Sequence, residues 1–240
     1  MTYLSLFLLL TAQASPANRE AHFAWMAPAA FAGKWQAGLI EQHTYKLGEA
    51  GIPGTSTYTL RGVILQGKKV LEVEVETHRT LSFGAQQGKL VSHSITWMDP
   101  ATFDMLESRL TATMNGAEAS YLHAIRQGAS ISVFQKLRGS PDDTRHMDSQ
   151  GVVIDDNAQN FYIERLPWAA GREFEWNRYN AAQSRLISNK ASVEQIDKDT
   201  LQLKIVTDIA PTSMELTGKP RIVSRVVIAG TEQLKLQDSQ

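Results

Sequence analysis

The stretch Val70–Thr77, VLEVEVET, constrains this chain more than any other. Leu71, Val73 and Val75 alternate with Glu72, Glu74 and Glu76. Successive side chains on a strand point to opposite faces, so the run predicts a strand with one apolar and one acidic face. Such a strand needs a core on one side and water on the other, as in antiparallel sheets solvated on one face. Gln66-Gly67-Lys68-Lys69 reads as the turn that joins it to a strand over Thr57–Leu65.

The same signal recurs along the chain. Leu90–Met98 places Val91, His93, Ile95 and Trp97 on one face. Asn115-Gly116, between LTATM and AEASYL, supplies the two positive-φ positions of a type I′ turn and predicts a hairpin. Further strands are predicted at Ser130–Leu137, Glu173–Asn177, Lys190–Ile196, Leu201–Thr207, Arg221–Ile228 and Glu232–Leu236, with a turn at Asp197-Lys198-Asp199. Gly139–Gly151, GSPDDTRHMDSQG, is polar and rich in breakers and reads as an exposed loop. Ten or so short strands with one helix predict a mainly β protein. The expectation is a curved antiparallel sheet, or a partly open barrel or sandwich, with one short helix late in the chain. With no repeat and no long linker, residues 15–240 read as a single all-β domain; a division near 139–151 is the alternative.

The first fourteen residues read differently. Leu4–Leu10 is apolar and Ala12-Gln13-Ala14 has the small-x-small form of a signal-peptidase site. The run is too short to cross a bilayer, which takes roughly twenty residues. It predicts a cleavable secretory signal ending at Ala14 and a periplasmic or secreted product. No Lys or Arg precedes the apolar run, which keeps an uncleaved anchor as the alternative. The segment that follows, to about Lys34, is Ala-rich, with Pro16 and Pro28 and no clean period. Cys is absent, which excludes disulfides, thiolate metal sites and a Cys-linked lipid anchor. An exported domain of this kind must be held by its core alone. Lys and Arg number 24 against 25 Asp and Glu, so there is no general attraction for nucleic acid or anionic membrane.

The densest chemistry lies in residues 155–171, DDNAQNFYIERLPWAAG. Asp156 reads as an N-cap with Gln159 completing a capping box, Asp155 complements the positive helix end, and Pro167 stops the helix. Ala158, Phe161, Tyr162, Arg165 and Leu166 then share one face, apolar except for Arg165. Arg165 has two readings. It lays its stem over the sheet and reaches an acid or a carbonyl at the rim, or it anchors an anion at the mouth of an apolar cavity flanked by Trp168 and Trp176. The second reading makes Trp97, Phe161, Tyr162, Arg165, Trp168 and Trp176 the candidate ligand-binding residues.

Tyr162, Arg165, Leu166 and Pro167, followed by Gly171 and Phe174 in WAAGREFEW, resemble the matching part of a bacterial periplasmic family, domain of unknown function 3108. The resemblance covers about a quarter of the chain. It implies a curved antiparallel sheet in the cell envelope and brings no catalytic residues.

Chemistry sought elsewhere gives no assignment. There is no G-x-S-x-G, and Ser92 and Ser94 point away from the face of His93. The six His show no H-E-x-x-H or H-x-H spacing. Asp142, Asp143, His146 and Asp148 lack the alternation and terminal Glu of a calcium loop, and read as a solvated acidic loop. Glu72, Glu74 and Glu76 read as a solvated strand face, not a glycosidase pair. No catalytic residue, metal ligand or cofactor is assigned. The leading reading is a non-enzymatic envelope protein that binds a hydrophobic or lipid-like ligand or docks an envelope partner. The alternative is an envelope hydrolase acting on a glycan or ester.

Overall fold

A computed structural model describes residues 35–48, 53–83 and 86–240. The secretory signal and the Ala-rich segment after it lie outside the described residues. The chain forms β1 (Gly38–Leu47), β2 (Gly54–Leu65), β3 (Lys68–Phe83), β4 (Gln86–Met98), β5 (Met105–Met114), β6 (Ala117–Gln127), β7 (Ser130–Leu137), β8 (Asp143–Asp148) and β9 (Val153–Asp155). After a 3-10 turn at Asp156–Ala158 come a short helix, α1 (Gln159–Arg165), and β10 (Glu173–Asn180). The chain ends with β11 (Arg185–Ile196), β12 (Thr200–Thr207), β13 (Thr212–Thr217), β14 (Ile222–Ile228) and β15 (Thr231–Ser239).

All fifteen strands among the described residues join one sheet, in the order β8-β7-β6-β5-β4-β3-β2-β1-β15-β14-β13-β12-β11-β10-β9. Sequence neighbours are sheet neighbours except at β8 and β9, and β15 returns to β1 to join the two halves. Every pair is antiparallel except β9–β10, which is parallel. The two edges, β8 and β9, are consecutive in sequence but not hydrogen-bonded to each other, so the sheet stays open.

The alternation read at Val70–Thr77 is the sheet's inside and outside. Leu71, Val73 and Val75 are buried on the inner face. On the outer face Glu74 pairs with Arg61 and His93, and Glu72 accepts from Trp97 Nε1 at 2.9 Å. Gln66-Gly67 and Asn115-Gly116 both take positive φ and close their hairpins with two residues each.

The sheet rolls until its ends overlap. Val153 and Ile154 are neighbours on β9 and therefore face opposite ways. Both are fully buried, yet they belong to different clusters. Ile154 joins the main core with α1, Trp176, Leu203 and Leu216. Val153 joins Tyr179 of β10 and Met105, Leu122, Ile131 and Val133, inner residues of β5–β7. The β9–β10 end is thus tucked inside the wall made by β5–β7. Asp104 fastens the overlap by accepting from Val153 N at 2.7 Å and from Arg126.

Two expectations need correction, and one strand was not expected. The loop 139–151 contains strand β8, whose mostly exposed polar residues form an edge without apolar alternation. Strand β13 lies between two segments read as strands and had no reading of its own. The cap is Asp155, whose side chain accepts from Asn157 N, while Asp156 lies within the 3-10 turn and pairs with Arg178. Among the described residues no helix is long and apolar enough to cross a membrane.

Candidate functional site

Helix α1 runs through the interior of the rolled sheet. A one-faced amphipathic helix was expected, but Gln159, Asn160, Phe161, Tyr162 and Ile163 are all buried. The Glu164 and Arg165 side chains are only 3% and 8% exposed. The enclosing sheet leaves α1 no solvent face. Pro167 sets its end, with Leu166 already extended at φ −69°, ψ 141°.

The candidate ligand-binding residues divide by position. Phe161, Tyr162 and Trp176 are core residues, with the Tyr162 and Trp176 rings edge-on at 5.7 Å. Trp168 stacks edge-on against Phe174 at 4.6 Å. Trp97 lies on the outer face between Glu72 and Arg109. The Arg165 guanidinium donates to Phe161 O of its own helix and to the Glu41 carboxylate. The gap beside Arg165, Trp35 and Phe103 holds about 10 Å³, the space of roughly one water.

Larger cavities adjoin the two ends of α1, and a further one of about 520 Å³ lies away from the helix, beside Lys46, His78 and Arg79. Beyond its C-terminal end is a cavity of about 370 Å³ bounded by Glu41, His43, Glu164, Arg165, Arg221 and Ile222. His43 is 2% exposed, and its Nε2 stands 3.6 Å from Glu41 Oε2 and 3.6 Å from Glu164 Oε2. Burial opposes its charged form, but the two carboxylates prevail and raise its pKa to about 9. Burial likewise works against charge on Glu41, and His43 and Arg165 overcome it to hold that carboxyl below the usual range.

The cavity at the N-terminal end of α1 measures about 300 Å³. One wall is polar, with Asp156, Asn157, Gln159, Asn160 and Arg178. The facing wall comes from β12–β15 and is largely apolar, with Met214, Val226, Ile228 and Leu234. Asp156 is held between Arg178 Nη1 at 3.0 Å and Asn180 Nδ2 at 2.9 Å. Beside it, Asp155 is fully buried, and burial pushes its pKa up to about 6.

A solved structure shares this architecture. It is the crystal structure of a β-barrel-like protein of domain of unknown function DUF1849 from Brucella abortus, with a TM-score of 0.57. The match covers 86% of this chain and 98% of that one at 11% identity. The fold is β-barrel-like. At that identity the likeness shows the fold alone, and it carries a different family number from the one suggested by Tyr162, Arg165, Leu166 and Pro167. No protein-family model and no curated protein matches the chain.

The sequence reading missed Glu41, His43 and Glu164. The signal for His43 was present: His43, Tyr45 and Leu47 share the inner face of β1 and are all buried. Glu164 carried no such signal, because a one-faced helix places it outside the buried stripe.

Proposed function

We propose that this chain is an exported, non-enzymatic binding protein that holds an amphiphile in the cavity at the N-terminal end of α1. The observation that carries the reading is the division of that cavity into a polar wall on Asp156, Asn160 and Arg178 and an apolar wall on Met214, Val226 and Ile228. Binding sites of this kind are mostly apolar, with a few placed polar groups that orient the ligand. A volume of about 300 Å³ suits a polar head group with a short apolar tail. Arg178 is the residue for an anionic head, because among the described residues it is the one cationic side chain that lines this cavity, beside the Asp156 that its Nη1 holds. In this reading Phe161, Tyr162 and Trp176 support the cavity from the core, and Trp97 and Arg165 serve elsewhere. Export to the periplasm rests on the Leu4–Leu10 run and Ala12-Gln13-Ala14.

The test is displacement of a fluorescent short-chain fatty-acid probe from delipidated protein, with mass spectrometry of any co-purified lipid. Saturable binding at one site, lost in Met214→Trp and weakened in Arg178→Gln, is expected. Absence of both co-purified amphiphile and probe binding sinks the reading and leaves docking of an envelope partner. The hydrolase alternative has one observation in its favour, the convergence of Glu41, His43 and Glu164 on a cavity. Turnover of ester or glycan substrates that Glu164→Gln abolishes would favour it over binding alone.

A further inference from the structure

The cavity at the C-terminal end of α1 has a donor arrangement that the proposed ligand does not use and that the ion pairs of His43 with two carboxylates leave without a hydrogen bond. One donor atom from each of Glu41, His43 and Glu164 lies within 4.8 Å of the others. The strands and the helix bring them together: Glu41 and His43 are on β1 and Glu164 is in the last turn of α1.

Each carboxylate is anchored through one oxygen and presents the other. Glu41 Oε1 accepts from Arg165 Nη2, and Glu164 Oε1 accepts from Val223 N at 2.8 Å. Their Oε2 atoms both stand 3.6 Å from His43 Nε2, too far for a hydrogen bond. Neither ring nitrogen of His43 has a hydrogen-bond partner, and neither has Glu164 Oε2, although all three atoms are buried. Buried polar atoms left unsatisfied are rare and costly, so their convergence calls for an occupant.

We propose that Glu41 Oε2, His43 Nε2 and Glu164 Oε2 form a site for one divalent transition-metal ion. Bonds of about 2.0–2.1 Å to nitrogen and oxygen place two ligands of a tetrahedral ion roughly 3.3 Å apart. The two 3.6 Å separations from His43 Nε2 need only a small closure to meet that spacing, and the two carboxylate donors, within 4.8 Å of each other, draw together on the ion. One imidazole with two carboxylates is a mixed nitrogen and oxygen set that suits zinc or manganese. Arg165 and the Val223 amide take the part of outer donors that fix the ligating carboxylates. The face of the site toward the cavity supplies the remaining coordination positions. Arg165 also brings a positive charge near the ion, Nη1 lying 3.9 Å from Glu164 Oε2, so the affinity is expected to be moderate.

The experiment is titration of the chelator-treated full-length chain with Zn²⁺ and Mn²⁺ by calorimetry, with ring NMR signals of the histidines followed during Mn²⁺ addition. One ion per chain is expected, with binding weakened at least about tenfold by His43→Ala and by Glu164→Gln. Sub-stoichiometric Mn²⁺ should broaden the His43 ring first among the six histidines. That readout uses the unaltered protein and stands even where a variant fails to fold. No binding by the parent chain, binding that both folded variants retain, or earlier broadening of His78, His93 or His123 would each overturn the proposal.

Discussion

The two ends of the buried helix place carboxylates in the same rolled sheet under opposite conditions. At the N-terminal end Asp155 is fully enclosed, and its pKa is raised to about 6. At the C-terminal end Glu41 is partly enclosed, and His43 and Arg165 hold its pKa below the usual range despite burial. The difference shows that burial alone does not decide charge in this interior. Cations drawn from distant parts of the chain outweigh it at Glu41, whereas Arg178 does not outweigh it at Asp156, whose pKa burial still raises. It also separates the two cavities chemically, an apolar wall facing one end of the helix and a set of converging charges at the other.

The centre that both ends share gives the largest expected effect. Phe161 is fully buried in the main core, and Phe161→Ala should cost about 3–5 kcal/mol in urea unfolding. A much smaller loss would mean that the sheet closes onto the vacated space and the ends are not held apart by α1.

The charged ends come next. Arg165→Ala leaves Glu41 and Glu164 short of a buried cation and should cost about 3 kcal/mol or more. Arg178→Ala should cost less, about 1–2 kcal/mol, because Asp156 is 35% exposed and keeps Asn180. Equal losses in the two variants would erase the contrast between the ends.

Asp155 supplies a pH test. Its folded pKa lies above the ordinary 3.8, so the folded state holds the proton more tightly than the unfolded state. That contribution is complete below about pH 3.8 and is lost as the pH rises through about 6. The difference between these two values corresponds to roughly 3 kcal/mol. Asp155→Asn keeps an acceptor for Asn157 N and should therefore stabilise the protein at pH 8, by up to that amount, and change little at pH 3. Equal effects at both pH values in chemical denaturation would show that the charge is solvated in some other way. The smallest effect belongs to the outer face. Lys136 and Glu118 are paired at 3.3 Å but more than half exposed, and Lys136→Ala should alter stability by no more than about 0.5 kcal/mol.

The regular part of the fold was legible because its signals are local. Val70–Thr77 declared an inside and an outside, and Asn115-Gly116 and Gln66-Gly67 marked hairpins, since alternation and turn chemistry act over a few residues. Edge strand β8 was hidden because both of its faces reach water and no alternation is selected. The helix ended at Pro167 as read, but its environment was not, since periodicity shows which residues align and not how many walls surround them.

The sequence by itself determined a mainly β protein with a short late helix, and set the strands and turns that make it. Tertiary structure decided that the sheet rolls over its own end, that α1 lies wholly inside it, and that Glu164 meets His43 across more than a hundred residues of chain. The physical reason is range. Backbone preference and side-chain alternation are properties of neighbours, whereas cavities, shifted pKa values and ligand sets arise only when distant strands close around the same volume.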